Sequence, residues 1–450
     1  MTSTICAVST AIGTGAISII RCSGPEAIKI VASIFRGPNL TKVKTHTLHY
    51  GYIMNQEEVL DEVLVSVMKA PKTFTTEDVV EINSHGGIAT TNSVLNLLLE
   101  NGCELAEPGE FTKRAFLGGR IDLLSAEAVG DLIVSETEKA RKMAINQLSG
   151  GLSQKISTIR SLIIDAQVNI EVNIDYPEYH DIEVITEEML NPKLQRIIDE
   201  LTHLFASAEN GSLIKNGINV AIIGQPNVGK SSILNALLNE SKAIVTNIPG
   251  TTRDVVEGKI VLDGIILNVI DTAGIRQTED VVEQLGVQKS LELSQTADLI
   301  IYVVDNSAAL APSLELLKKL SSKKLIIFVN KDDIVSNNDY KVFQGYPLVK
   351  GNTLTVNGLE NLKDKIKELF NLNYLETKDY SYLSNARQVS LVKQALDILG
   401  NAMDSLSGGL PIDIITIDLK TAYALLGEII GETYKEDLLD ELFSRFCLGK

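Results

Sequence analysis

The run Gly224-Gln225-Pro226-Asn227-Val228-Gly229-Lys230-Ser231 fits the pattern G-x-x-x-x-G-K-[ST]. It follows an apolar stretch at 218–223 and precedes a helical pattern at 232–238. That order of strand, loop and helix is what a phosphate-binding loop requires. Glycines let the backbone wrap closely, so N–H groups from Asn227, Val228, Gly229 and on to Ser232 can point at phosphate oxygens. The helix N-terminus behind them adds its partial positive charge. In such a loop Lys230 reaches the β- and γ-phosphates, and the Ser231 hydroxyl binds Mg²⁺.

A chain of 450 residues has room for about three domains. Its hydrophobic fraction of 44% and charged fraction of 22% are ordinary for a soluble globular protein. No apolar run reaches the roughly 18 residues that cross a bilayer, and no basic stretch followed by an apolar core marks a signal peptide. The cysteines Cys6, Cys22, Cys103 and Cys447 lie far apart and form no C-x-x-C. Free thiols in a reducing cytoplasm, away from any membrane, are the simplest expectation. The net charge of −17 argues against a broad non-specific grip on nucleic acid, though not against a local basic site. Residues 1–120 are near neutral, with 10 Lys/Arg against 12 Asp/Glu.

Patterning divides the chain into zones. Residues 1–118 mix β-rich runs at 16–21, 63–69 and 79–84 with helical patterns at 26–34 and 88–101, which predicts an N-terminal α+β domain. Residues 119–215 read as the first part of a helical domain. Its long helices lie within 125–166, Ser135-x-x-Glu138 fits a capping box, Gly150-Gly151 marks a break, and an amphipathic helix covers 192–209. Residues 216–374 alternate strands (218–223, 265–270, 298–305, 324–329) with helices. The spacing predicts a mostly parallel sheet covered by helices, with one antiparallel strand paired through an Asp263-Gly264 hairpin. Residues 375–450 return to helices at 386–406, 419–430 and 434–446. The expected fold is a multidomain α/β chain in which a P-loop domain is inserted into a helical domain whose two parts pack together.

Three more motifs follow the loop. Thr252, in Thr251-Thr252-Arg253-Asp254, can complete the Mg²⁺ shell and sense the γ-phosphate. Asp271-Thr272-Ala273-Gly274 follows the apolar strand 265–270, which places Asp271 to hold Mg²⁺ through water and the Gly274 N–H to face the γ-phosphate. Asn330-Lys331-Asp332-Asp333 follows the strand 324–329. A carboxylate at Asp333 accepts two hydrogen bonds from guanine, whereas adenine offers the wrong donors. Together these motifs point to GTP and GDP. Ile275 follows the Asp-Thr-Ala-Gly motif, where a glutamine orients water in small signalling GTPases. Glu283 is the nearby candidate for that work, and a solvated acidic loop is the other reading of the same stretch. The Asn227 carbonyl either ligates a monovalent cation, which would supply charge where an arginine finger does, or braces the loop. His85, before Gly86-Gly87, reads as a turn or packing residue, and Cys447 as a buried structural thiol.

The chain resembles the MnmE (TrmE) family of tRNA modification GTPases over nearly its whole length. The resemblance rests on Gly15-Ala16-Ile17-Ser18-Ile19-Ile20-Arg21, His85-Gly86-Gly87, Pro108-Gly109-Glu110-Phe111-Thr112-Lys113-Arg114-Ala115-Phe116-Leu117 and the terminal Phe446-Cys447-Leu448-Gly449-Lys450. It implies a homodimer formed through N-terminal domains that bind a 5-formyltetrahydrofolate-type cofactor, with contacts at Arg21, Glu81, Arg120 and Lys450. On this resemblance Arg21 and Lys450 pair with the folate carboxylates, and Glu81 accepts from the pterin. It also implies a flavoprotein partner, MnmG (GidA), in a heterotetrameric or larger complex. That complex would install aminomethyl-type groups at C5 of the wobble uridine of certain tRNAs. G domains of the family dimerise with K⁺, whose ligands map onto Asn227, Thr246, Ile248 (backbone) and Thr251, and the catalytic glutamate maps onto Glu283. The nucleotide contacts implied between the loop and the Asp-Thr-Ala-Gly motif are Thr246, Asn247, Ile248, Pro249, Gly250, Thr251 and Thr252. Two departures stand out. The family's Gly-Arg-Gly turn reads Gly13-Thr14-Gly15 here, and Asn352-Thr353-Leu354 stands where a guanine-bracing Ser-Ala-Lys/Arg motif is usual. A ribosome-assembly GTPase that binds RNA is the alternative reading, and it would carry a basic RNA-binding module.

Overall fold

The computed structural model describes residues 3–175, 187–225, 227–240, 256–270, 295–306, 314–321, 323–334, 339–355, 357–372 and 380–450. The chain divides into two compact units, one of residues 1–134, 144–202 and 390–450, the other of residues 135–143 and 203–389.

The first unit holds a seven-stranded sheet of β1 (Ile5–Val8), β2 (Ile17–Ser23), β3 (Phe35–Arg36), β4 (Thr47–Asn55), β5 (Glu58–Met68), β6 (Val79–His85) and β7 (Glu104–Leu105), in the order β3-β4-β5-β6-β2-β1-β7. Its pairs are antiparallel except β1 with β7. Val63, Val65 and Val67 are buried while Glu62 and Leu64, which alternate with them, are exposed, the period-2 pattern of a half-covered sheet. The inward residues, with Cys6, Ile20, Cys22, Val80 and Ile82, meet Val31 of the helix Ala27–Ile34 and Val94 and Leu98 of the helix Ile88–Glu100. On the opposite face of β1, Ile5 and Ala7 pack with Ala106 and Phe111.

Patterning predicts three of these strands. β1, β3 and β7 were too short to show a period. In β4 the run Thr47-Leu48-His49-Tyr50-Gly51 carries Tyr50 and Leu48 on the exposed face, which hides the alternation.

Helices Leu123–Val134, Gly151–Asp175, Ala386–Ser407, Ile412–Ile430 and Glu436–Ser444 follow. Gly150, at φ +84, makes the break before Gly151. The expected Ser135–Glu138 capping box does not form. The helix Glu138–Leu148 starts on Thr137 instead, whose Oγ1 accepts from Ala140 N at 3.2 Å, while Glu138 accepts from Arg141 Nε at 2.8 Å. Glu136, between Ser135 and Thr137, pairs with Lys259.

Helix Gly151–Asp175 packs along helix Ile412–Ile430. Arg160 ties them: its guanidinium donates through Nη1 and Nη2 to the two oxygens of Glu432 and lies 4.0 Å over the Tyr423 ring. Gly431, at φ +83, ends the helix Ile412–Ile430 and turns Glu432 back toward the arginine.

The second unit is built on β8 (Ile218–Gly224), β9 (Val256–Leu262), β10 (Ile265–Ile270), β11 (Leu299–Asp305), β12 (Lys324–Asn330) and β13 (Leu348–Lys350), in the order β13-β12-β11-β8-β10-β9. β9 alone runs antiparallel among these. Asp263 at φ +49 and Gly264 at φ +79 form its hairpin, the paired positive φ of a type I′ turn. Both faces are covered. Val220, Ile222, Ile301, Val303, Ile326 and Phe328 enter one core. Ala221, Ile223, Ile300, Tyr302, Ile327 and Val329 enter the other. This double burial is why the strands read as continuous apolar runs. Ala140, Met143, Leu213, Ile214 and Tyr382 also enter the first of these cores, which draws residues 135–143 and both flanks of the predicted 216–374 domain into the unit. β13 went unpredicted because three residues carry no period.

Arg160 is buried (side chain 6% exposed) and Glu432 is 54% exposed. Glu432→Gln leaves the guanidinium without a counter-charge, and because solvent screens the pair the expected loss is about 1 kcal/mol. The Arg160 hydrogen bond holds the Glu432 carboxyl below its ordinary value. A folded pKa below the unfolded one gives stability that is present above about pH 4.3 and lost as pH falls through the folded value. Urea denaturation should therefore show the wild-type advantage at neutral pH and its disappearance in acid.

Candidate functional site

The nucleotide candidate grows from the C-terminal edge of the parallel strands, where open α/β sheets bind ligands. β8 lies between β11 and β10, and its last residue, Gly224, runs close to the β11 backbone: a Cβ there would stand 2.5 Å from Val303 O. Asn227 at φ +64 and Gly229 at φ +97 turn the backbone into a concave loop, the geometry that gathers N–H groups around an anion. The helix Lys230–Glu240 begins immediately after. The Lys230 ammonium donates to Gly224 O at 2.9 Å and Gln225 O at 2.8 Å, folded across the loop. Burial pushes it below the ordinary lysine value, and an anionic ligand would offset that desolvation. Ser231 and Ser232 open the helix and are exposed.

A second loop joins the first. Asn330 ends β12, is buried, and donates from Nδ2 to Val228 O at 2.9 Å. A Cβ on Gly229 would stand 2.2 Å from that nitrogen, so only glycine admits the contact. Asn330 Oδ1 is buried without a hydrogen-bond partner, and a ligand donor at the loop mouth would satisfy such an acceptor. Lys331, at φ +63, turns the chain and pairs with Asp305 Oδ2 at 2.5 Å. Asp333 is exposed beyond that turn. The segment after β13 closes on it: Gly351 N donates to Val329 O at 3.0 Å and Asp332 N to Gly351 O at 3.1 Å. Asn352 Oδ1 accepts from Leu354 N, Thr355 N and Thr355 Oγ1 at 3.0–3.1 Å. This asparagine thus shapes its own turn beside the Asn330–Asp333 loop. Thr246, Asn247, Ile248, Pro249, Gly250, Thr251, Thr252, Asp271, Thr272, Ala273, Gly274, Ile275 and Glu283 lie outside the described residues.

The folate candidates lie in the first unit. Arg21 on β2 and Glu81 on β6 are cross-strand partners. Arg21 Nε and Nη2 both approach Glu81 Oε1 at 2.8 Å. The terminal segment closes over this pair. Arg21 Nη1 donates to Gly449 O at 3.4 Å, Ser9 Oγ to Gly449 O at 3.1 Å, and Phe111 N to Lys450 O at 3.2 Å. Gly449 has φ +83, and a Cβ there would stand 2.3 Å from Val8 O. Burial, then the nearby Arg21 charge, push the Lys450 ammonium below its ordinary value. Arg21, Glu81 and Lys450 therefore form one group. The resemblance assigns Arg21 to the folate carboxylates and Glu81 to the pterin, and in the structure the two side chains are in direct contact.

Arg120 stands apart from that group, 5.0 Å over the Phe74 ring and donating to Phe74 O at 3.2 Å. Rings link the two places. Arg21 lies 5.5 Å over Phe111, and Phe74 packs on the cluster that contains Phe111. Phe74, Ser9 and the role of Phe111 went unseen in the sequence, where no spacing signals such contacts. His85 does not pack: its ring is 70% exposed, with Nδ1 2.6 Å from Asp61 Oδ1, and hydrogen bonding to that carboxylate raises its pKa. Cys447 is exposed rather than buried, while Cys6, Cys22 and Cys103 are buried, and all four thiols are free. Among the described residues no cluster of metal-ligating side chains occurs, and no helix is long and apolar enough to cross a membrane.

Comparison with known proteins bears on the family of the whole chain. A family model described as "GTP-binding protein TrmE N-terminus" matches residues 4–120, and one described as "MnmE helical domain" matches residues 123–447. The tRNA modification GTPase MnmE of Lactococcus lactis subsp. cremoris MG1363 is 48% identical over 99% of this chain and 98% of that protein. Its namesake in Bacillus thuringiensis Al Hakam is 47% identical over 99% of both chains. That of Bacillus subtilis 168 is 46% identical over 99% of this chain and all of that protein. With relatives so similar from end to end, and with the phosphate loop in place on the sheet, the chain belongs to the MnmE (TrmE) family.

Proposed function

We propose that this protein hydrolyses GTP and, with a flavoprotein of the MnmG (GidA) type, modifies C5 of the wobble uridine of certain tRNAs to an aminomethyl-type group. The observation that carries the nucleotide half is the bond from Asn330 to Val228 O, which joins the phosphate loop to the loop bearing Asp333. Phosphate recognition and base recognition then occur on one ligand, and the Asp333 carboxylate suits the two donors on the guanine edge. The tRNA half comes from the names of the relatives.

Two observations suit a nucleotide: Asn330 Oδ1 is a buried acceptor without a partner, and the Lys230 ammonium lies across the phosphate loop. GTP is held by Asn227, Val228, Gly229, Lys230, Ser231 and Ser232, by the stretch from Thr246 to Thr252, by Asp271 to Gly274, and by Asn330, Lys331 and Asp333. Ser231 and Thr252 would hold Mg²⁺, which would supply charge neutralisation at the phosphates. Asn227, Thr246, the Ile248 carbonyl and Thr251 would hold K⁺, which would supply further positive charge there when two G domains meet. Glu283 positions or deprotonates the attacking water that Ile275 cannot serve.

In the N-terminal unit Glu81 offers an oxygen to the pterin donors of a 5-formyltetrahydrofolate-type cofactor, the one-carbon donor. Arg21 and Lys450 steady that carboxylate, and Arg120 meets the far end. The working division of the chain is 1–118 for folate binding and dimerisation, 119–215 and 375–450 for the helical domain, and 216–374 for the G domain. The setting is the cytoplasm.

Glu283→Ala should lower kcat on the order of 100-fold with GTP binding kept, read by single-turnover hydrolysis and a fluorescent-nucleotide titration. An unchanged rate removes Glu283 from the chemistry. Replacing K⁺ by Na⁺ should slow hydrolysis, and equal rates in the two salts would take Asn227 out of an ion site. Asp333→Asn should weaken GTP at least about tenfold while leaving ATP, already poorly bound, unmoved. Competition between the two nucleotides measures it.

A further inference from the structure

Beside Arg120 the first unit has a cavity of about 470 Å³, walled by Lys72, Arg120, His46, Phe74, Met68 and Thr73. Its lining holds two permanent cations and an imidazole and no carboxylate. The wall is built rather than loose. Thr73 Oγ1 donates to Glu77 O at 2.6 Å, Ala70 N to Asp78 Oδ1 at 2.9 Å, and Lys69 Nζ to Val43 O at 2.7 Å. Asp78 is thereby turned onto the backbone, and Glu77, the acid nearer along this loop, accepts from Ser23 Oγ and Arg114 Nη1. His46 at φ +59 and Thr76 at φ +67 hold left-handed backbone without being glycine, a strain that surrounding structure must impose and that concentrates at ligand sites. A Cβ on Gly118 would meet Thr76 Oγ1 at 2.4 Å, so the strained threonine is wedged against the turn that leads to Arg120.

The cavity ends a row of contacts: Arg21 over Phe111, Phe74 packed on the Phe111 cluster, and Arg120 over Phe74. One end of the row presents a carboxylate, Glu81, to hydrogen-bond donors, and the other end presents cations. A folate has the opposite order of groups, with a donor-rich pterin, an aromatic ring and then carboxylates. We propose that this cavity, through Lys72 and His46 acting with Arg120, binds the γ-glutamyl carboxylate chain of a polyglutamylated tetrahydrofolate. The inference rests on the folate reading above. Lys72, Arg120 and His46 are exposed around this cavity, and two cations and an imidazole gathered in so small a space suit a short carboxylate chain better than the extended backbone of an RNA.

Calorimetric titration of the full-length protein with the mono- and triglutamate forms of 5-formyltetrahydrofolate tests it. The triglutamate should bind about two- to fivefold more tightly per added carboxylate engaged, the range of a partly exposed ion pair. Lys72→Gln should erase that gain and change monoglutamate binding by less than about twofold, whereas Glu81→Gln should weaken both forms alike. Equal affinity of the wild type for both forms, or a gain that survives Lys72→Gln, overturns the chain site and leaves the folate reading standing. Failure of the wild type to bind either form removes both. A Lys72→Gln defect in tRNA binding with the glutamate gain intact assigns the cavity to RNA phosphate and overturns the proposal.

Discussion

One buried hydrogen bond, from Asn330 Nδ2 to Val228 O at 2.9 Å, sets the nucleotide end of this protein. It spans two strands of the parallel sheet and ties the phosphate loop to the Asn330–Asp333 loop, to which base recognition is assigned in the proposal above. Glycine at 229 is the condition for it, since any side chain there would collide with the amide. The energy behind it is packing. β8, β11 and β12 are buried on both faces, so the strand ends that carry these loops stand in fixed register. A loop held this rigidly can present N–H groups to phosphate with little ordering left to do on binding.

The N-terminal unit meets a different demand. Charged groups on an acidic chain are gathered at a half-buried place, and each is steadied by a neighbour. Arg21 is braced by Glu81 and lies over Phe111, Arg120 lies over Phe74, and the Lys450 carbonyl accepts the Phe111 N–H. Gly449 lets the terminal segment approach β1 closely enough to do this. Residues more than four hundred positions apart thus complete one surface. A partly exposed ion pair contributes little to stability alone; on the folate reading proposed above these contacts position groups for a ligand.

Legibility from sequence followed the range of the interactions. The phosphate loop, the Asp263-Gly264 hairpin and the apolar strands of the second unit were readable because each is specified within a few residues: glycine spacing, paired turn residues, or two-sided burial. The helix ends were less so. Ser135 and Thr137 are both good caps; the helix starts on Thr137, and the Glu136 between them pairs with a distant lysine, Lys259, that no local pattern reveals. The pairing of Arg21 with Glu81 depends on the β2–β6 register, and the cavity at Arg120 on two strained loops, neither of which leaves a local pattern. Exposure of Cys447 and His85 likewise depends on tertiary placement rather than on the residues beside them.

The central claim is that a guanine-nucleotide cycle on this scaffold serves the chemistry of the wobble uridine. The most direct measurement is nucleoside mass spectrometry of tRNA from cells lacking this protein. Loss of aminomethyl-type wobble uridines, restored when the gene is returned, is the result predicted. Wobble uridines that are unchanged in the deletion strain would contradict it.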